Sequence, residues 1–460
     1  MDQPETTGQK GHTRTRSGVK ATRPRSSTKG PLEVDDTPLA AAAQPPSNPL
    51  SPGLQPPQQQ HKMASSLPVG HATTRSPRTS SPLPRSPALS PGPGHLRRGP
   101  SRPKDFSFLL RPEIYHALTP FNIPPAFRNS PKQPAPDTSI SDLLARGQFR
   151  YAAIAATQAL TGTGTGVYPQ PDPSDHAKIF NLLYTRLACL TLIDSTALAA
   201  QEAKAMGDLN SSFYLDEETL THVVPWELRV LNVRLQAVGF GDLRRAVMSY
   251  YELVREARGC LAKARAQHDN SMRELWKERL GDLGVRVAGV LVEMGDLKGA
   301  AGHLRSLKGE GGKMGMSRGL LWLQLGDVEA ARQCVEGEGE MDRVVERAVD
   351  ALCDMADGQY ESALQKWRRL REEEGVKDEM VGVNEGVCCL YVGRLQEGNV
   401  LLEGLVDSGK ASHSLLFNLT TMYELCTERS RGLKVKLSEK VAGMKETAGG
   451  WEKTNADFKL

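Results

Sequence analysis

The strongest candidate for chemistry in this chain is the run "KGEGGKMGMS" at residues 308–317. A loop of this composition can cradle phosphates if backbone amides wrap them, a lysine neutralises them and a hydroxyl holds magnesium. That chemistry needs a glycine five residues before the Gly-Lys pair and a Ser or Thr directly after it. Here Leu307 stands where the glycine is required before Gly312, and Met314 follows Lys313. The run therefore reads as a flexible loop between repeats. "GTGTG" at 162–166 lacks the third glycine of a dinucleotide fingerprint and follows no predicted strand, so it reads as a linker.

Metal and nucleophile signals are equally sparse. The 10 histidines are scattered, with no HExxH and no Cys/His cluster at ligand spacing. His303 and His413 have the chemistry of bases, but neither has a nucleophile partner evident in sequence, and a GxSxG elbow is absent. Cys388 and Cys389 are adjacent; on a helix they point about 100° apart, which disfavours chelation by the pair alone and favours buried, small apolar groups. The 7 cysteines are odd in number and form no CxxC pair, which suits free thiols in a reducing cytosol. No catalytic, cofactor-binding or metal-ligating residue is assigned, no cofactor is implied, and an enzyme is not expected.

The elements around these residues divide unevenly. Of the 30 prolines, 26 lie at or before Pro136, and only Pro225 follows Pro173. Residues 1–104 hold 15 Lys/Arg and 5 Asp/Glu, a net of +10, so a chain of net +4 carries −6 in the remainder. This head is poor in aliphatics and cannot bury enough apolar surface to offset its ordering entropy, so 1–104 is expected to be a disordered basic Pro/Ser-rich tail. Its charges are spread out and no aromatic precedes Phe106, so specific nucleic-acid binding is not expected. Ser-Pro steps at Ser76, Ser81, Ser86 and Ser90 are candidates for phosphorylation that would cancel local positive charge. "MDQPETTGQK" has no apolar core, so no signal peptide is expected, and no stretch approaches a membrane span.

Residues 105–137 form a short apolar strap or linker. Phe106, Phe108, Leu109, Leu110, Tyr115, Phe121 and Phe127 are too many apolar groups for a free linker, and the prolines among them forbid a long helix. Packing back onto the body is expected, with a docking peptide for another protein as the alternative.

Residues 138–460 read as helices joined by a recurring device. Gly147, Gly241, Gly295, Gly326, Gly358 and Gly393 each follow an apolar helical run. Two residues later stands Phe149, Leu243, Leu297, Val328, Tyr360 or Leu395, expected to seal the turn. Five residues after the glycine stands Ala152, Ala246, Ala300, Ala331, Ala363 or Gly398, small enough to let two helices approach. Nine after it stands Ala156, Tyr250, Leu304, Val335, Trp367 or Leu402, mostly large enough to fill the gap to the next pair. Asp242, Asp296 and Asp327 follow their glycines as helix caps. Beyond Gly295 the glycines recur every 31 to 35 residues, close to the roughly 34 of tetratricopeptide repeats. The fold class is all-α: a tetratricopeptide-like α-solenoid of stacked antiparallel helix pairs, about six of them on these spacings, after a long disordered tail. In "ESALQKWRRLREEEG" at 361–375, Trp367 is expected inside, with the charges forming a solvated face of i,i+4 pairs.

Three segments carry a closer resemblance. "SLLFNLTTMYELCTERSRGLKVKLSEKVA" at 414–442, "LLYTRLACLTLIDSTALAAQEAKAMGDLN" at 182–210 and "VPWELRVLNVRLQAVGFGDLRRAV" at 224–247 resemble the trafficking protein particle complex subunit 12 family in content and order. The resemblance covers residues 138–460 and leaves out the head. It implies a non-enzymatic scaffold in a multisubunit vesicle-tethering complex acting in ER-to-Golgi transport. It also implies other subunits of that complex as partners, a Rab-type GTPase served indirectly through it, and a cytoplasmic location peripheral to Golgi and ER-Golgi membranes. No binding residue carries over from the family. The alternative is a generic tetratricopeptide adaptor or co-chaperone that clamps peptide partners, which would need a regular set of Lys, Asn and Arg on successive first helices.

Overall fold

The computed structural model describes residues 104–164, 169–307, 312–336, 343–372 and 377–460. The expectations for the basic head, its Ser-Pro sites and the end of the "GTGTG" linker lie outside these residues.

Within the described residues the chain is all-α, with 17 α-helices in adjacent pairs and a single isolated bridge, Leu215 to His222, outside them. The strap holds two 3-10 turns, Ser107–Leu110 and Pro112–Ile114, and the one-turn helix α1 (Pro125–Arg128). Eight helix pairs follow, two more than the glycine spacing suggested. They are α2 (Ile140–Ala145) with α3 (Phe149–Thr161), α4 (His176–Leu192) with α5 (Thr196–Ala203), α6 (Trp226–Phe240) with α7 (Leu243–Ala266), and α8 (Asn270–Glu293) with α9 (Leu297–Ser306). Then come α10 (Gly312–Gln324) with α11 (Val328–Glu336), α12 (Arg343–Ala356) with α13 (Tyr360–Glu372), α14 (Glu379–Val392) with α15 (Leu395–Asp407), and α16 (His413–Cys426) with α17 (Ser430–Gly443). The second helix of most pairs packs on the first helix of the next, as α3 does on α4 and α13 on α14, whereas α8 itself meets α10.

Local chemistry makes the joints. All six predicted glycines have φ between 68° and 85°, the left-handed region where an L side chain is strained. At Gly295 the amide donates to Val292 O at 2.9 Å and the Asp296 amide reaches back to Leu291 O at 3.0 Å, which satisfies carbonyls at the end of α8. The carboxylates of Asp242, Asp296 and Asp327 then accept from Arg245 N, Gly299 N and Ala330 N at 2.9 to 3.0 Å. Each such cap stabilises by about 1 kcal/mol.

One joint was hidden because its residue is not glycine. Asp194 adopts φ 60°, its amide donates to Thr191 O at 3.2 Å, and the Ser195 amide donates to Leu190 O at 2.8 Å. Ala199 and Ala203 stand five and nine residues beyond it and are buried, as the pattern requires. A short polar side chain tolerates this conformation better than most, so Asp can replace glycine here.

The plus-five and plus-nine offsets hold wherever their side chains are described. The plus-five residues are all buried, and so are the plus-nine residues whose side chains are described: Ala156, Tyr250, Leu304, Trp367 and Leu402. Burying a Trp such as Trp367 removes on the order of 150–250 Å² from water, an upper-bound gain of about 4–6 kcal/mol. The plus-two expectation fails at Leu297, which is 49% exposed. As the first residue of α9 it points away from the pair interface, and Ala300 and Leu304 make the contact instead.

Two further expectations change. Residues 312–317 are helical, forming the start of α10 rather than a loop. On α13, Trp367 is buried as expected, while Arg371, besides its bond to the adjacent Glu372, and Arg368 also pair with carboxylates on neighbouring helices. Arg371 grips the Glu385 carboxylate on α14 at 2.6 and 3.1 Å, and Arg368 bonds Glu397 on α15. Glu385 is almost wholly buried, and a buried carboxylate without partners would be costly, so it draws the arginines across.

Candidate functional site

The strap does not hang free. Phe106, Leu109 and Leu110 enter the core built by α4, α5 and α6, with the Phe106 ring 5.0 Å from Phe180 edge to face. Further along, Ile123 and Phe127 enter the core of α15, α16 and α17, where Phe127 meets Trp451 at 5.4 Å and Phe458 at 6.1 Å. One short segment therefore reaches the beginning and the end of the array.

The chain's last residues complete that junction. The Trp451 amide donates to Gly147 O at 3.1 Å, and the Asn455 amide to Asn122 O at 2.7 Å. Arg146 forms two bonds to Glu446 at 2.6 and 3.0 Å, and the Gln148 amide joins it at 2.5 Å. Arg150 bonds Glu452 at 2.7 Å, Thr119 O at 2.8 Å and Asn122 Oδ1 at 3.2 Å. Lys132 from the strap donates to Gly443 O at 2.8 Å and to the neighbouring carbonyls of Ala442 and Met444, capping the C-terminal end of α17. The first and last pairs are thus joined by a seam of charge-assisted bonds over an aromatic core. Burial pushes the Glu452 carboxyl above its ordinary range, outweighing the pull of Arg150.

A second knot holds the strap at the first pairs. Arg186 and Glu202, both fully buried, form two bonds at 2.9 and 2.7 Å. Arg186 also donates to Ala153 O at 3.2 Å and His116 O at 2.7 Å, while the His116 amide donates to Glu202 at 2.9 Å. This pair satisfies most of its polar atoms and ties α3, α4, α5 and the strap to one point.

The residues weighed for chemistry are not assembled into a site. Cys388 and Cys389 are fully buried, and burial pushes the Cys388 thiol up to about 12, so it stays protonated at neutral pH. His303 donates from Nε2 to Gly284 O at 3.1 Å, with the Tyr251 hydroxyl at 3.5 Å from its other nitrogen, and burial lowers its pKa. His413 Nδ1 lies 2.7 Å from Asp457 Oδ1 and its ring packs 5.7 Å from Phe417, an arrangement that orients the imidazole. Among the described residues no group of three or more His, Cys, Asp or Glu is placed to hold a metal ion, and no helix is long and apolar enough to cross a membrane.

Surface aromatics are what the periodicity could not separate from core. Tyr391, 62% exposed, stacks on Tyr360 with ring centroids 4.1 Å apart. Phe417 and Leu425 are exposed on α16, eight residues apart and so on one face, with the Lys459 ammonium 5.0 Å from the Phe417 ring centroid. Exposed aromatics beside cations are a common composition for protein-binding surfaces.

No protein-family model matches the chain. It is similar to trafficking protein particle complex subunit 12 of Mus musculus, 24% identical over 339 residues that cover 66% of this chain and 42% of that protein. The human protein of the same name is 24% identical over 342 residues, covering 66% of this chain and 46% of its own length. The chain spans less than half the length of these curated relatives. Among solved structures it is similar to a tetratricopeptide repeat protein from Parabacteroides merdae, with 16% identity, 58% of this chain, 94% of that one and a TM-score of 0.34. The tetratricopeptide domain of P58(IPK) gives 14% identity, 67% and 93% coverage and a TM-score of 0.20.

Proposed function

We propose that this protein is a non-enzymatic scaffold subunit of a trafficking-particle type of vesicle-tethering complex, acting in ER-to-Golgi transport. The observation that carries the proposal is an array of eight helix pairs whose ends are committed to each other at the seam. Its lateral faces, with exposed groups such as Tyr391, Phe417 and Leu425, are left for partners. The similarity to subunit 12 of that complex supplies the biological setting. In this reading residues 138–460 are the repeat domain, 105–137 the strap that joins its ends, and 1–104 a basic tail that tunes recruitment to acidic membrane through its charge. Partners are the other subunits of the complex, with a Rab-type GTPase served indirectly through the assembly, at the cytoplasmic side of Golgi and ER-Golgi membranes.

The test is affinity purification of the full chain from its native cells, followed by mass spectrometry. Several trafficking-particle subunits in fixed proportion are expected. Recovery of chaperones alone, or of no stable partner, overturns the proposal.

A further inference from the structure

An open cavity of about 310 Å³ lies where the turn between α15 and α16 faces the end of α17 and the segment beyond it. That volume is at the lower end for small-molecule sites. Three lysines line it from three separate elements: Lys410 from the turn, Lys445 just after α17, and Lys453 from the C-terminal segment. Residues 105–460 carry net negative charge, but the C-terminal stretch that builds this hollow is itself basic, and three of its lysines face one cavity.

Their charge is poorly compensated. Glu379 is the one carboxylate lining the cavity, and its Oε1 accepts from the Ser412 amide at 2.9 Å. Lys453 is half-buried and its ammonium, with three donors, has Gly450 O at 2.9 Å as its one acceptor among the described residues. Asp457 lies within electrostatic reach but is already bonded by His413, by the Thr454 amide at 2.6 Å and by the Thr454 hydroxyl at 2.9 Å. Burial pulls the Lys453 pKa below its ordinary value despite Asp457 and Glu379, as expected of a cation short of counter-charge. The mouth also holds Ser412, the cap of the 14-residue helix α16, whose dipole presents its positive end there.

We propose that this cavity is an anion site that takes a phosphate group, with Lys410, Lys445 and Lys453 supplying the charge. A phosphorylated small molecule and a phosphorylated lipid headgroup present the same chemistry. Thr447, Gly450 and Trp451 line the cavity too, and the Trp451 amide holds Gly147 across the seam. An occupied cavity therefore braces the junction between the first and last helix pairs.

The test uses the full chain, so that any attraction by the basic head is common to every form compared. Calorimetry with myo-inositol 1,4,5-trisphosphate reads the free-phosphate source. Co-sedimentation with phosphatidylcholine vesicles, with and without phosphatidylinositol 4-phosphate, reads the headgroup source. Lys453→Met removes the half-buried charge; the Lys410→Glu/Lys445→Glu double variant reverses the other two charges and decides the matter if the first does not fold. Saturable binding to at least one probe is expected, weakened about tenfold or more in either variant. Which probe binds assigns the source. No saturable binding to either probe, or equal binding by the wild type and the double variant, overturns the proposal.

Discussion

The Arg150 guanidinium meets the Glu452 carboxylate at 2.7 Å, with the two side chains only 6% and 8% exposed, across 302 residues of sequence. Removing one partner of a buried pair leaves the other charged and uncompensated, which costs about 3–5 kcal/mol. Arg150→Met is expected to release the seam. Hydrogen exchange should then rise in residues 119–133 and 444–460 while the helices from α8 to α13 keep their protection. Uniform loss of protection along the array would show that the pair stabilises the whole fold and not the junction.

Arg186→Met should cost about 3–5 kcal/mol in chemical denaturation, because Glu202 is fully buried and loses the guanidinium that pairs with it. The double variant Arg186→Met/Glu202→Met should recover much of that loss, since no charge is then stranded. A double variant as unstable as the single one would mean that the bonds to Ala153 and His116 matter more than the pair.

Gly147 combines two costs, of which Gly295 carries only one. Both have left-handed backbone, φ 69° and 78°, so alanine at either position should cost about 1–2 kcal/mol. A Cβ at Gly295 meets nothing within 4 Å, whereas at Gly147 it would lie 2.2 Å from Thr447 O and 2.7 Å from Gly450 backbone. Gly147→Ala should therefore destabilise clearly more than Gly295→Ala in parallel thermal melts. Equal effects would argue against the seam as described.

Asp194→Gly should stabilise the protein by about 1 kcal/mol, since Asp194 holds φ 60° where glycine is unstrained. The measurement is the urea midpoint. A loss of stability would reveal a role for the Asp194 side chain that its conformation does not require.

Asp354 should make stability depend on acid pH. Burial alone would raise its carboxyl, but bonds from Lys366, Ser362 and Arg332 outweigh that and hold it below the usual range. A depressed folded pKa gives stability that is present above the unfolded value of about 3.9 and lost as pH falls through the folded one. Asp354→Asn should thus cost about 2 kcal/mol at pH 7, with the deficit shrinking below about pH 4 when urea melts are compared. Glu452 works with the opposite sign: its raised carboxyl favours the fold below the ordinary glutamate value and loses that contribution as pH rises through the folded value.

What the sequence determined by itself was local. A helix joint needs one residue in the left-handed region, a cap, a small residue at plus five and an apolar one at plus nine. Backbone hydrogen bonding and the 3.6-residue period set those requirements within about a dozen residues, and Gly241, Asp242, Ala246 and Tyr250 meet them wherever the rest of the chain lies. The Asp194 joint escaped the glycine spacing because Asp stands at its left-handed position, although Ala199 and Ala203 keep the plus-five and plus-nine pattern.

Only the tertiary structure decided where the strap docks and that the first and last pairs are joined. Nothing near Arg150 announces Glu452, and nothing near Phe127 announces Trp451, because such pairings carry no periodicity and arise when distant surfaces are left with complementary charge and shape. For the same reason Lys410, Lys445 and Lys453 read as ordinary surface lysines in sequence. Their convergence on one cavity follows from how the C-terminal segment returns to the first helix pair.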